Sequence, residues 1–183
     1  VLTLIADEPY RHWLPQIFAQ LPNRAAVFFI DPSFAYGIEH WMPGRCHAPY
    51  LPCAHLLDGH GPTPTREKSI DLLFVGTLAD PDVIRHEARG KPLVRPLFDQ
   101  LIERALDDHT TPLSMLAGQI RPGPFGVIDM DNQVNREALQ YANRFIRSHR
   151  RWKLLCRLAR HPVTIVSNRL PNIPGVHPGL VTL

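Results

Sequence analysis

The sequence predicts an α/β fold made of two incomplete units, each with a doubly wound parallel sheet. Short apolar runs that suit strands buried on both faces recur along the chain; the clearest is Leu72–Val75, which Gly76 follows. Strand-like and helix-like stretches alternate through the first 51 residues. Residues 57–68 are polar and rich in Gly and Pro, which is typical of a linker between two units.

The first unit, residues 1–56, is expected to alternate between strands and helices. The apolar stretches Val1–Ala6, Ala25–Ile30 and His47–Leu51 predict three strands. Asp7-Glu8-Pro9 follows the first stretch and suits the start of a helix, because proline is well accommodated in a first turn. A second, short helix is predicted over Phe34–Trp41.

The second unit, residues 69–183, is expected to open with a strand over Asp71–Gly76 and to contain a helical insertion. Ala79–Pro92 is polar and indicates a loop with room for one helical turn. Apolar residues at helical spacing predict helices over Val94–Leu106 and Val134–Arg160, and a less distinct one around Leu113–Ile120. Val163–Val166 then predicts a second strand.

Composition sets broad limits on the function. The chain is 44% hydrophobic and 20% charged, as in folded globular proteins, and its apolar runs are far shorter than a membrane-spanning helix. Three cysteines, an odd number, argue against a disulfide framework and favour a reducing cytoplasm. The net charge of +3 permits anionic ligands without requiring nucleic acid. The chain opens without Met on a strand-like run, so we expect an internal segment of a longer protein.

Candidate catalytic groups follow the first predicted strand. The sequence has no dinucleotide-binding glycine motif, phosphate-binding loop, His-Glu-x-x-His motif or nucleophile-elbow motif. Asp7 and His12 would lie at the ligand-binding edge of the sheet, where a carboxylate or imidazole can act as a general base. Capping of the next helix by Asp7 and a surface position for His12 would explain the same residues.

Two other groups of residues have simpler explanations than a binding site. Cys46, His47, Cys53 and His55 are zinc-type ligands, but their spacing fits no common zinc motif, so no metal is expected. The basic residues of Val134–Arg160 indicate a solvated helix face rather than a nucleic-acid surface, since no aromatic platform interleaves with them. Arg150 and Arg151 are the members of that face most suited to ligand contact.

Small and polar residues end two of the predicted strands of the second unit. Gly76 and Thr77 follow one strand, and Ser167 and Asn168 follow the other. The carboxyl ends of parallel strands share one edge, where α/β proteins bind ligands, so these residues suit a phosphate or sugar ligand. Tight turns alone would account for the same residue types.

The order of these segments resembles the middle of bacterial GT-B-type glycosyltransferases, in particular the spore-maturation-like group. The residues that carry the resemblance are Ile5-Ala-Asp-Glu-Pro9, Phe28-Phe-Ile-Asp31, Tyr50-Leu-Pro52, Asp71-Leu-Leu-Phe-Val-Gly76, Arg150-Arg-Trp-Lys-Leu-Leu155 and Val163-Thr-Ile-Val166. The sequence departs from that group after the last strand, where Ser167-Asn168 stand in place of an early glycine.

The resemblance implies a two-domain enzyme that transfers sugar from a nucleotide-sugar donor, without a bound metal or a resident cofactor. Gly76, Thr77, Ser167 and Asn168 would then face the donor, while Asp7 and His12 would face the acceptor. A non-catalytic α/β ligand-binding module is the main alternative. A nucleotide-sugar epimerase is a further one.

Overall fold

A computed structural model describes residues 2–5, 20, 25–29, 46–47, 72–75, 77–120, 132–158 and 163–167 of the chain. Helices predominate there: they contain 73% of the residues whose side chains are described. No helix among the described residues is long and apolar enough to span a membrane.

Four helices make up the two longest described ranges. They are α1 (Pro81–Arg89), α2 (Arg95–Asp107), α3 (Leu113–Gly118) and α4 (Gln133–Leu158). Asn132 begins α4, since its Oδ1 accepts a hydrogen bond from the Val134 N–H at 2.9 Å. The long predicted helix over Val134–Arg160 is therefore confirmed, with both ends within two residues of the prediction.

The four helices bury one continuous apolar core against each other. Phe98 and Phe145 lie at its centre, fully buried, with ring centroids 6.0 Å apart in an edge-to-face arrangement. The largest core positions repeat at intervals of three and four on α2 and α4, so that each helix presents an apolar stripe. Those on α2 are Leu97, Phe98, Leu101, Ile102 and Ala105, and those on α4 include Ala138, Leu139, Ala142, Phe145 and Ile146.

The described residues also include five short strands, which form two parallel groups. In the first, β1 (Leu2–Ile5) pairs with β2 (Ala25–Phe29), and β2 pairs with the two-residue β3 (Cys46–His47). In the second, β4 (Leu72–Val75) pairs with β5 (Val163–Val166), with Leu72 opposite Val163. Four of the five coincide with predicted apolar runs, whereas β3 overlaps its predicted stretch, His47–Leu51, only at His47; residues 48–51 lie outside the described residues.

The prediction of an α/β fold with two Rossmann-like doubly wound sheets is nevertheless wrong. The packed core of the described chain is helix against helix, and helices account for most of its residues. A doubly wound fold requires crossover helices that lie on the faces of a continuous sheet. Here all four helices fall between the two strands of a single pair, and they bury their apolar stripes mainly on each other.

The prediction of a loop over Ala79–Pro92 is also wrong, because α1 occupies most of it. Asp80 caps the helix: its Oδ1 accepts from the Asp82 N–H at 2.8 Å. Pro81 fits the first turn, and Ile84 and Ala88, four residues apart, are both buried in the helical core. The proposed division at 57–68 lies outside the described residues and stays a prediction.

Candidate functional site: the tips of β4 and β5

The candidate site is the carboxyl edge of the β4–β5 pair, called here the strand-tip edge and made of Thr77, Leu78, Ser167 and Arg151. Because the two strands are parallel and adjacent, their tips meet at one edge. The Leu78 N–H donates to the Ser167 hydroxyl at 3.2 Å, which joins the two segments just beyond the strands. The expectation that Thr77 and Ser167 lie at a common edge is therefore confirmed.

A small apolar cluster holds this edge against the second half of α4. Leu78, Leu155 and Ile165 are buried together, and Phe74 and Trp152 pack against them. Phe74 and Ile165 are paired across the two strands, so their side chains share one face of the pair. The cluster sets the position of the second half of α4 against the strand tips and brings Arg151 to the edge.

Arg151 is the charged group that reaches the strand tips. Its Nη1 donates to the Thr77 carbonyl oxygen at 2.7 Å, across 74 positions of sequence. The side chain is partly exposed, and this bond uses one of the five N–H donors of a guanidinium group. The remaining donors are suited to an anion bound at the edge, because guanidinium groups pair well with phosphate and carboxylate.

The electrostatic environment of Arg151 also favours an anion. Partial burial lowers the pKa of Arg151 below its ordinary value, and the positive charge of Arg147, one helical turn away, lowers it further. Both effects disfavour the charged form, although an arginine stays protonated at neutral pH. An anion beside Arg151 would offset the repulsion that it experiences.

The start of α1 is not suited to binding a phosphate, although it follows β4 closely. Helix N-termini attract anions through free N–H groups and a favourable dipole. Here Pro81 has no N–H, the Asp82 N–H is already bonded to the Asp80 carboxylate, and Asp82 adds a second negative charge. Among the described residues, Arg151 is therefore the cationic group whose hydrogen bond places it at this edge.

The predicted site residues are only partly brought together. Thr77 is exposed at the edge, whereas Ser167 is buried, 4% exposed, with its hydroxyl accepting from Leu78. The Ser167 hydroxyl thus links the two segments at the edge, and its predicted role in donor binding stays a prediction. Asp7, His12, Gly76 and Asn168 lie outside the described residues, and their predicted roles stay predictions.

The other candidate ligand groups named from the sequence are also described only in part. Cys46 and His47 form β3, while Cys53 and His55 lie outside the described residues; no group that could hold a metal is found in the part of the chain that is described. Arg150, the neighbour of Arg151, bonds elsewhere: its Nη2 donates to the His109 carbonyl oxygen at 3.1 Å.

Arg151 shows what the sequence signal could and could not provide. The basic face of α4 was visible as a pattern, and Arg150 and Arg151 were singled out from it. Only the packing of Trp152 and Leu155 against the strands decides which of the two reaches the edge. Comparison with known proteins adds nothing to this, because no protein-family model, curated protein or solved structure matches the chain.

Proposed function

We propose that the strand-tip edge binds the diphosphate of a nucleotide-sugar, and that the protein transfers the sugar to an acceptor. The observation that supports the first part is Arg151, partly exposed and anchored to the Thr77 carbonyl at the tips of two parallel strands. The second part rests on the resemblance of the sequence to glycosyltransferases. The nucleotide-sugar enters as a donor substrate and not as a cofactor.

The proposed chemistry places positive charge where negative charge develops. When the bond between the sugar and the diphosphate breaks, the leaving diphosphate gains charge, and a preorganised cation stabilises it. The bond to Thr77 holds the Arg151 guanidinium at the edge before the ligand arrives. Asp7 or His12 would deprotonate the acceptor hydroxyl as a general base.

A non-catalytic binding module is the second candidate, and one observation favours it. The polar groups described at the edge are bonded to each other: Leu78 to Ser167, and Arg151 to the Thr77 carbonyl. Such a fixed arrangement suits holding an anionic ligand, and the described residues supply no general base within it. Under this alternative the protein binds the diphosphate and leaves the sugar bond intact.

The first test measures binding of a nucleoside diphosphate by titration calorimetry. Replacing Arg151 with Ala should weaken binding by about tenfold or more, the usual effect of removing a charged hydrogen-bond partner. The affinity of Arg151→Lys should lie between those of the unaltered protein and Arg151→Ala, because lysine keeps the charge and loses the planar guanidinium group. Arg95→Ala is a matched control, since Arg95 is 60% exposed on another helix.

Two results would contradict the proposed site: no binding by the unaltered protein, or equal binding by Arg151→Ala in a protein whose thermal melt is unchanged. The transfer step is tested separately by following donor turnover. Asp7→Asn and His12→Ala should each lower turnover while diphosphate binding persists. Binding without any sugar release in the unaltered protein would reject the transferase and leave the binding module.

A further inference from the structure

A groove lies between the end of α2 and the second half of α4, away from the strand-tip edge. It encloses about 310 Å³. Leu106 and Leu154 supply apolar surface, and Leu154 is 49% exposed. The rest of the lining is basic or titratable: His109, His149, Arg150, Lys153 and Arg157.

Hydrogen bonds fix one wall of this groove. The Asp108 carboxylate accepts from the Thr110 and Thr111 N–H groups, at 2.9 and 3.0 Å, and from the Thr110 hydroxyl. Hydrogen bonding from the Thr111 side chain and backbone, and then from Thr110, holds the pKa of Asp108 well below its usual range. The same bonds set the turn that carries His109. Arg150 then ties that turn to α4 through the His109 carbonyl oxygen. The wall is therefore built before any ligand binds.

The charges along the groove are unbalanced. Arg150, Lys153 and Arg157 follow each other at intervals of three and four on α4, which places them on one face of the helix. Among the described residues that line the groove none is acidic, although Asp108 lies next to His109 in the adjoining turn, where its carboxylate is bonded to Thr110 and Thr111. Bringing three cations together costs free energy that an anion would recover.

The pKa of His149 is affected by the same excess of positive charge. Its burial lowers its pKa, and the positive charges of Lys153 and Arg85, together with His109, lower it further. Asp82 acts in the opposite direction and is the smallest of these influences. These influences favour the neutral imidazole, which can donate or accept a hydrogen bond.

We propose that this groove is a second ligand site, which binds a phosphorylated small molecule with an apolar body. The phosphate would lie against Lys153 and Arg157, and the apolar body against Leu106 and Leu154. The volume is at the lower end of the range for small-molecule sites, which runs from about 300 to 1,000 Å³. A small ligand therefore fits the groove better than a nucleic-acid strand.

The site is distinct from the strand-tip edge. Successive residues of a helix are about 100° apart, so Arg150 and Arg151 face different directions. Arg150 bonds to the turn at His109, whereas Arg151 bonds to the end of β4 at Thr77. The proposal does not depend on sugar transfer or on diphosphate binding at the edge.

The test is calorimetric titration of the whole chain with phenyl phosphate, compared with inorganic phosphate and with benzyl alcohol. We expect phenyl phosphate to bind more tightly than either, because only it offers both the charge and the apolar ring. The double variant Lys153→Ala/Arg157→Ala should bind it about tenfold more weakly or worse. Arg95→Ala/Arg144→Ala removes the same charge from exposed positions outside the groove and should bind normally.

Two further variants keep the outcome unambiguous. Leu154→Asp alters a half-exposed position and places a negative charge in the groove, so it should abolish binding without unfolding the protein. Arg151→Ala should leave phenyl phosphate affinity unchanged.

Four results would overturn the proposal. Equal loss of binding in the Arg95/Arg144 control would show a general charge effect. Equal affinity for inorganic phosphate and phenyl phosphate would remove the apolar subsite. Loss of binding in Arg151→Ala would show that the ligand occupies the edge. Binding of a single-stranded oligonucleotide, sensitive to Lys153→Ala/Arg157→Ala, with no binding of phenyl phosphate would assign the surface to nucleic acid.

Discussion

The helix α4 passes through two regions that are built differently. Its first half, up to about Ile146, lies in the helical core, where the described side chains that pack together are almost all apolar. Its second half crosses the strand-tip edge, where the buried apolar side chains of the described residues are Leu78, Leu155 and Ile165. Around that small cluster the contacts are polar: the Leu78–Ser167 and Arg151–Thr77 hydrogen bonds.

Along this single helix, the first half should mainly stabilise the fold, and the second half should mainly position the groups of the binding edge. Burial of apolar area is the main favourable term in folding, so the larger helical core should carry most of the folding free energy. Hydrogen bonds contribute less net stability each, but they fix positions, which is what a binding edge requires. Changes in the core should therefore affect the whole protein, whereas changes at the edge should act locally.

The largest expected effect is in the core. Phe145→Ala should lower the free energy of unfolding by about 3–5 kcal/mol, because it removes a fully buried ring and leaves a cavity beside Phe98. Val83→Ala, at a position 53% exposed, should change it by less than about 0.5 kcal/mol. Urea denaturation measures both. Similar losses in the two variants would mean that the helical core does not dominate stability.

A smaller effect is expected at the edge. Ser167→Ala removes the acceptor of the Leu78 N–H in a buried setting and should cost about 1–3 kcal/mol. Amide hydrogen exchange should speed up at Leu78, while the amides around Leu101 in α2 keep their protection. Uniform acceleration in both regions would show that edge and core open together, against the separation described above.

The smallest effect concerns His149, at the boundary of the two regions. Its pKa is lowered by burial and by Lys153, Arg85 and His109, with Asp82 opposing. The unfolded chain therefore binds this proton more readily, so the contribution of neutral His149 to stability is present above about pH 6.5 and is lost as pH falls towards the folded pKa. His149→Gln should flatten the stability difference between pH 7.5 and pH 5.5. An unchanged pH dependence would contradict the lowered pKa.

Local patterns predicted local structure well. The apolar run Leu72–Val75 and the run Val163–Val166 are strands, and the stripe of α4 was visible in the spacing of its apolar residues. The predicted fold class was wrong because the strand and helix runs were assembled by analogy with alternating α/β proteins. Runs of this kind do not reveal whether a helix packs on a sheet or on another helix, and here the helices pack mainly on each other.

The candidate site was predictable to a similar degree. Thr77 and Ser167 were placed at one edge from the rule for parallel strands, and the strand pairing bears that out. Which of Arg150 and Arg151 reaches the edge was beyond sequence reasoning, because it depends on how α4 is rotated against β4 and β5. The groove at His109 was missed for a related reason: its walls come from α4 and from a turn about 40 positions away.

Residues 76–162, which contain all four helices, separate the two partners of the β4–β5 pair. Pairing of strands so far apart in sequence is slow, because a long loop must close before the contacts form. During synthesis, the backbone N–H and C=O groups of β4 therefore lack this partner strand until β5 has been made. A chain that ends before Val163 should therefore expose this apolar strand as a template for self-association. Lys68 and Asp71, which precede the strand in the sequence, would then oppose aggregation through their charges.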